Sequence, residues 1–296
     1  MDAKKLEILI SAVDLGSFSK ASETVGYTQS GLTHLVDALE KEIGIKLTKR
    51  THKGVSLTEN GQILMPFIRD FIASNAKLEN AIKNINEKRN DTIRIAAYSS
   101  IAMHWMPEIL YRFRRLCPDT TVELRMVDHA LEPFELLRDG KTDVIFASRQ
   151  EGYNCKWTPL YKERMFAILP KNHPAGSDEE YPITDFRECD FIMPWGRFDI
   201  EINSAFAKAG VEIKKSQPKV DDETVIRMVG AGLGVSMMSE LMIRGRTDDV
   251  KCIPVTPCVT RELGMGVSHN DNSKEILLLK NCVTGYLNEK FLRVNK

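Results

Sequence analysis

The sequence predicts an α/β protein in three parts: a small helical head, one long helix, and a C-terminal body of alternating strands and helices. Three observations lead there. Short amphipathic helices are punctuated by Gly16 and Gly26. An apolar column recurs every seven residues from Leu64 to Ile85. From Thr92 onward, strand-like and helix-like runs alternate, the mark of a largely parallel sheet. A length of 296 residues fits about two domains, and 43% hydrophobic with 28% charged residues excludes wholesale disorder.

In the head, Leu6, Leu9, Ile10 and Val13 fall on one helical face, and Gly16 stops that helix. Ser17 can cap a short second helix with Phe18, Ala21 and Val25 inside; after Gly26 and Tyr27, Thr28 can cap a third, packed through Leu32, Leu35, Val36 and Leu39. Two short helices joined by a tight turn fit a helix-turn-helix, or equally a plain helical hairpin with a solvated polar face. In the first reading, Gln29, Ser30, Gly31, Thr33 and His34 stand at the end that meets base edges. Val55 and Leu57 alternate after Gly54, a small hairpin that carries Lys46, Lys49, Arg50 and Lys53. Placed directly after a helix-turn-helix, a basic hairpin reads as a wing that reaches phosphates or the minor groove.

Thr58 can cap a long helix reaching about Lys88, with Glu59 favoured in its first turn. Leu64, Phe71, Leu78 and Ile85 form one column, and Ile68, Asn75 and Ile82 the complementary one: a coiled-coil seam with one polar position. Thirty residues of helix span about 45 Å, long for packing on one domain, so a dimerising linker is expected. Pro66 should bend this helix rather than end it.

In the body, strands are expected at 92–97, 121–127, 143–147, 166–169, 191–193, Val220 and 235–238. Helices are expected around 106–113, 134–138, 201–209 and 223–231. Ser99 and Ser100 stand where a strand becomes a helix, where free N–H groups favour an anion, and Arg149 follows a strand and can face a cleft as counter-charge. Ordinary alternatives are an N-cap for Ser99 and a surface ion pair for Arg149.

Other classes find little support. Lys plus Arg and Asp plus Glu are 41 each, a net charge of zero that by itself argues against nucleic acid. Residues 41–53 nevertheless carry five basic groups against one acidic, so a basic surface is local. The six cysteines form no C-x-x-C, and no metal, P-loop or nucleophile-elbow motif appears, so no enzyme, cofactor or metal is expected. Cys252 and Cys258 are the closest pair for a thiol switch. The longest apolar run, 228–239, is too short for a membrane span. The N-terminus lacks a signal-peptide pattern, and a cytoplasmic location is expected.

The run Gly16-Ser-Phe-Ser-Lys-Ala-Ser-Glu-Thr-Val-Gly-Tyr-Thr-Gln-Ser-Gly-Leu-Thr-His-Leu-Val-Asp-Ala-Leu-Glu-Lys-Glu-Ile-Gly44, continued by Leu47, Lys49-Arg50 and Leu57-Thr58-Glu59-Asn60-Gly61, resembles the N-terminal signature of LysR-type transcriptional regulators. Segments 138–143 and 232–235 resemble that family's body motifs, so the likeness spans nearly the whole chain. Ser22, Gly31, Thr33, His34 and Thr48 depart from the usual residues. The resemblance implies a winged helix-turn-helix at 1–58, a linker helix at 59–89, and a two-lobed effector domain like periplasmic binding proteins (type 2) at 91–296. Lobe I would be about 91–163 and 266–296, lobe II about 164–265, with crossings near 162–166 and 260–266. DNA contacts are expected from Ser17, Thr28, Gln29, Ser30, Gly31, Thr33, His34, Lys49, Arg50, Thr51 and Lys53. A small-molecule effector, with an anion favoured, is expected at Ser99, Ser100, Asp128, Ser148, Arg149, Trp195, Phe198 and Asn203. Expected partners are promoter DNA, a second copy through the linker, a homotetramer and RNA polymerase. Alternatives are a thiol-based redox regulator of the same architecture and a solute-binding protein.

Overall fold

The computed structural model describes residues 2–51, 54–87, 92–127, 129–175, 180–194, 199–216, 218, 220–269 and 273–291. They fall into two units, 1–89 with 138–141, and 90–137 with 142–296.

In the first unit, α1 (Ala3–Asp14), α2 (Phe18–Val25) and α3 (Gln29–Ile43) pack around Leu6, Leu9, Phe18, Ala21, Leu32, Val36 and Leu39. Each helix start is set by a side-chain oxygen: Asp2 accepts from Lys4 N, Ser17 from Lys20 N, Thr28 from Gly31 N. The wing is an antiparallel pair, β1 (Thr48–Thr51) and β2 (Gly54–Leu57). At Gly54, φ is +120° and a Cβ would strike the Gly16 carbonyl oxygen, which accepts from Val55 N at 3.0 Å. The turn that ends α1 thus seats the wing.

One acid ties α3 to the wing. Glu40 is buried, and its Oε1 accepts from Leu47 N (2.9 Å), Thr48 N (2.7 Å) and Thr48 Oγ1 (2.8 Å), while Lys46 Nζ reaches Oε2 at 2.7 Å. Burial alone raises a carboxyl's pKa, but the donors from Lys46, Thr48 and Leu47 outweigh it and hold Glu40 below the ordinary range. Thr48 therefore anchors the wing by its hydroxyl.

α4 (Glu59–Glu87) runs unbroken through Pro66. Thr58 caps it, accepting from Gly61 N at 3.0 Å and donating to Lys46 O at 2.7 Å. The seam differs from expectation in its first half. Ile68 is buried and Leu64 half-buried against the head core, while Ile63 (65% exposed) and Phe67 (68%) face outward. The cause is rotation: α4 must first turn Leu64, Ile68 and Ile72 toward α1. Phe71, Leu78 and Ile82 are exposed, and Asn75 donates along its own helix to Glu79 Oε1 at 3.0 Å.

The second unit has two lobes with separate cores. It begins with β3 (Thr92–Tyr98), α5 (Ser99–His104), α6 (Met106–Leu116), β4 (Thr121–Val127), α7 (Glu132–Arg138) and β5 (Val144–Ser148). The long β6 (Lys156–Pro170) leads to β7 (Tyr181–Pro182), a 3-10 turn (Ile183–Glu188), β8 (Asp190–Ile192), α8 (Asp199–Ala209), β9 (Lys214–Ser216) and α9 (Asp222–Gly230). Then come β10 (Ser236–Ser239), α10 (Glu240–Ile243), β11 (Val250–Thr256), β12 (Thr260–Val267) and α11 (Lys274–Phe291).

The lobe I sheet runs β4-β3-β5-β12-β6, with β3 parallel to β4 and β5. β6 pairs with β12 up to Arg164, then from Met165 with β10 and β11 of lobe II. β8 and β9 are parallel, and Phe191 bridges to Val235 beside β10. Two expectations are corrected. Val220 lies in the coil before Asp221, which caps α9, and β9 takes the strand position. Ser99 is not a cap: β3 runs directly into α5, leaving at the cap position Tyr98, whose side chain does not cap the helix.

Glu40→Gln is expected to destabilise the head by about 2–3 kcal/mol near neutral pH, as losing a charged hydrogen-bond acceptor does. A carboxylate held below its unfolded pKa stabilises above the unfolded value and loses that contribution as pH falls through the folded one. The difference between wild type and variant should therefore shrink in acid, read by urea titration and by amide exchange at Leu47 and Thr48.

Candidate functional site

The first α3 turn presents Thr28, Gln29 and Ser30 in the open, with His34 one turn on and Thr33 half-buried. Thr28 Oγ1 is engaged by the Gly31 N–H at 3.1 Å and lies 3.2 Å from Ser30 Oγ, which fixes this turn. Glycine at 31 allows that approach, since a Cβ would already stand 3.1 Å from Thr28 Oγ1. Gln29 is exposed, and among the described residues no side-chain hydrogen bond occupies it, so its amide carbonyl and NH2 are open to a partner. Ser17, half-buried, caps α2 at the rim of the same surface.

The wing's charges are partly answered by α3. Arg50 stacks 4.9 Å from the Phe18 ring and donates to Asp37 Oδ1 at 3.2 Å. Lys46 is shared between Glu40 and Asp37. Lys49 is exposed with no acidic partner among the described residues. Thr51 pairs with Gly54 on the hairpin, and Lys53 lies outside the described residues. Polar and cationic groups thus line one side of the head.

In the second unit a cavity of about 510 Å³ opens between the lobes. Ser148, Arg149 and Gln150 line it from the end of β5, Glu201, Ser204 and Lys208 from α8, and residues 257–262 from the entry to β12. Ser148 Oγ donates to Glu201 Oε1 at 2.6 Å, joining lobe I to lobe II, and Gln150 Nε2 approaches the same oxygen at 3.4 Å. Glu201 Oε2 is buried without a hydrogen-bond partner. Arg149 sits 5.9 Å from the Trp157 ring, whose Nε1 donates to Glu262 Oε1 at 2.9 Å.

Beneath lies a fully buried ion pair. Arg261 Nε donates to Glu163 Oε2 at 2.7 Å and Arg261 Nη2 to Ser239 Oγ at 3.1 Å; Glu163 Oε1 accepts from Leu241 N at 2.7 Å. Desolvation alone would favour the neutral guanidine, but Glu163 and Glu201 hold Arg261 firmly charged. The cavity therefore carries charges of both signs.

Of the expected effector residues, Ser148 and Arg149 line this cavity. Ser99, Ser100 and Asn203 are not among its lining residues: Ser100 is buried under lobe I, and Asn203 is exposed on α8. Asp128, Trp195 and Phe198 lie outside the described residues. The resemblance pointed to the segment 195–203, which contains Glu201, whereas Gln150, Lys208 and the Glu163–Arg261 pair were not expected, for their partners lie far off in the chain.

Among the described residues no group of three or more His, Cys, Asp or Glu is arranged to hold a metal, and no helix is long and apolar enough to cross a membrane. The six cysteines are free thiols. Burial pushes Cys252 up to about 11, which suppresses the reactive thiolate.

Two family descriptions match: "Bacterial regulatory helix-turn-helix protein, lysR family" over residues 3–62, and "LysR substrate binding domain" over residues 86–287. Among curated relatives, the "Uncharacterized HTH-type transcriptional regulator YvbU" of Bacillus subtilis (strain 168) is 25% identical over 276 residues, 90% of this chain and 92% of that protein. The regulator ShiR of Corynebacterium glutamicum (strain R) is 28% identical, covering 80% of this chain and 82% of its own. Among solved structures, full-length BenM matches with a TM-score of 0.62 at 22% identity over 98% of each chain. Full-length OxyR C199D from Pseudomonas aeruginosa matches at 0.57 and 19% identity, over 96% of this chain and 99% of that one. These two likenesses carry the fold. A winged helix-turn-helix, a long helix and a two-lobed α/β body, matched by both family descriptions, make this chain a LysR-type transcriptional regulator, with a DNA-binding head and an effector-binding body.

Proposed function

We propose that this regulator reads its operator through Gln29, Ser30, Thr33 and His34 at the start of α3. In this reading Lys49 and Arg50 of the wing, with Thr51, Lys53, Ser17 and Thr28, hold phosphates. The observation that carries it is the capped first turn of α3, which leaves Gln29 exposed and uncommitted beside the cationic wing. Gln pairs bidentately with adenine, whereas Lys and Arg on phosphates position without specifying.

The exposed stripe Ile63, Phe67, Phe71, Leu78 and Ile82 is spaced for one helix face and pairs with the same stripe of a second copy. Two heads then meet a two-fold related site. Two such dimers form a tetramer that works in the cytoplasm and contacts RNA polymerase. The small-molecule effector enters between the lobes, where the Ser148–Glu201 bond must be kept or broken. Charges of both signs there favour an effector that carries hydrogen-bond donors as well as an anion. The chain has no catalytic role in this reading.

Three outcomes are expected. In gel-shift titrations, Lys49→Ala should weaken cognate and scrambled DNA alike and lower the salt slope by about one, while Gln29→Ala should change the preference between sites. Equal loss at all sites for Gln29→Ala sinks the assignment. Phe67→Asp should shift sedimentation from dimer toward monomer with the helix content kept; an unchanged oligomer removes the proposed seam. Glu201→Gln should change the effector concentration needed for a response at least tenfold with DNA affinity of the ligand-free protein intact, measured by promoter binding against titrated cell-extract metabolite fractions. Indifference to that change places the effector elsewhere.

A further inference from the structure

The reading face of α3 carries a negative charge as well as polar groups. Helical spacing puts Asp37 in line with Ser30, Thr33 and His34, two turns beyond Ser30. Its side chain is 43% exposed. Two wing cations converge on one of its oxygens: Arg50 Nη2 lies 3.2 Å from Oδ1 and Lys46 Nζ 3.4 Å from the same atom. Of the other acids of α3, Glu40 is buried and Glu42 pairs with Lys5. Asp37 is therefore the exposed α3 acid that meets the wing.

Both contacts are exchangeable. Each is a single N–O approach rather than a bidentate fork, between exposed side chains, where ion pairs are weak and screened by salt. Each cation also has a second holder. The Arg50 guanidinium sits 4.9 Å from the Phe18 ring, and Lys46 Nζ lies 2.7 Å from the buried Glu40. Without Asp37, Lys46 keeps Glu40 and Arg50 keeps its aromatic seat, so the wing holds its place while Arg50 gains a free charge. A carboxylate oxygen shared by an arginine and a lysine has the partners that a DNA phosphate oxygen takes.

We propose that Asp37 is an internal stand-in for a DNA phosphate, which holds Arg50 in the head without DNA and must be displaced from it when a duplex binds. Asp37 touches no base in this assignment and acts through the wing: it lowers the affinity for every duplex and makes that affinity less dependent on salt. Because sequence-independent binding is supplied by phosphate contacts, this one carboxylate sets how tightly the head holds bulk DNA. The inference rests on the reading of the wing as phosphate-binding.

The test is fluorescence anisotropy of the full-length protein on two labelled duplexes, one of random sequence and one selected from a random pool by the wild type. Asp37→Asn keeps the size and an acceptor oxygen and removes the charge. It should tighten both duplexes about fivefold at about 50 mM salt and lose that gain near about 300 mM, a salt slope steeper by about one. Asp37→Glu, which keeps the charge, should behave as wild type. Arg50→Ala should weaken both duplexes, and adding Asp37→Asn to it should recover little. Equal or weaker binding of both duplexes by Asp37→Asn overturns the proposal, and so does a loss confined to the selected duplex, which would make Asp37 a base contact. The full gain in the Arg50→Ala background also overturns it, since the carboxylate would then simply repel DNA. Unchanged binding by Arg50→Ala removes the phosphate-binding wing and the proposal with it; a loss there without a gain from Asp37→Asn removes the proposal alone.

Discussion

The body of this protein is organised around one buried ion pair. Arg261 and Glu163 are direct cross-strand partners on β12 and β6, the two strands that join the lobes. Neither charge reaches water, so each is tolerable only because the other is there; removing one partner of such a pair typically costs about 3–5 kcal/mol. Each also recruits backbone or hydroxyl groups from the far side: Glu163 fixes the start of α10 at Leu241 N, and Arg261 fixes Ser239 at the end of β10. The cleft floor, the strand crossing and the field felt by Glu201 all follow from this contact.

The head obeys a parallel logic at smaller scale. Glu40 gathers two backbone amides, a hydroxyl and an ammonium, so the wing's position is set from within α3. α3 and the wing are thereby held together as one unit. Asp37 of α3 holds both Lys46 and Arg50, so the acids of α3 position the wing's cations.

Much of this was legible in the sequence, where a local signal existed. Ser17, Thr28 and Thr58 announce helix starts because capping depends on residues three apart. Apolar spacing gave the packing faces of α1, α2 and α3. The family signature carried the two-part organisation. What stayed hidden depends on partners far apart in the chain. The heptad columns had two admissible rotations near Leu64 and Ile68, and only the head core decides between them. Thr48 looked like a plain departure because its partner, Glu40, belongs to another element. The bond between Ser148 and Glu201 could not be read, because its two partners come from different lobes. β11 gave no separate expectation, since a short mixed run fits strand and helix alike.

β6 has a consequence for how such a body can vary. A single uninterrupted strand serves two lobes, and side chains along it alternate between faces. Adding or deleting one residue near Arg164 would turn every later side chain of β6 to the opposite face and would exchange the places of Met165, Ala167 and Leu169 with those of Phe166 and Ile168, which pack on the other side of the sheet. The chain absorbs one irregularity, where Leu263 and Gly264 step past β6, but it lies on the lobe I side of the crossing. The join therefore accepts exchanges of residue type and resists any change of length. Lineages that diverge in effector should differ here in what they place along the strand, while insertions collect in the loops at either end.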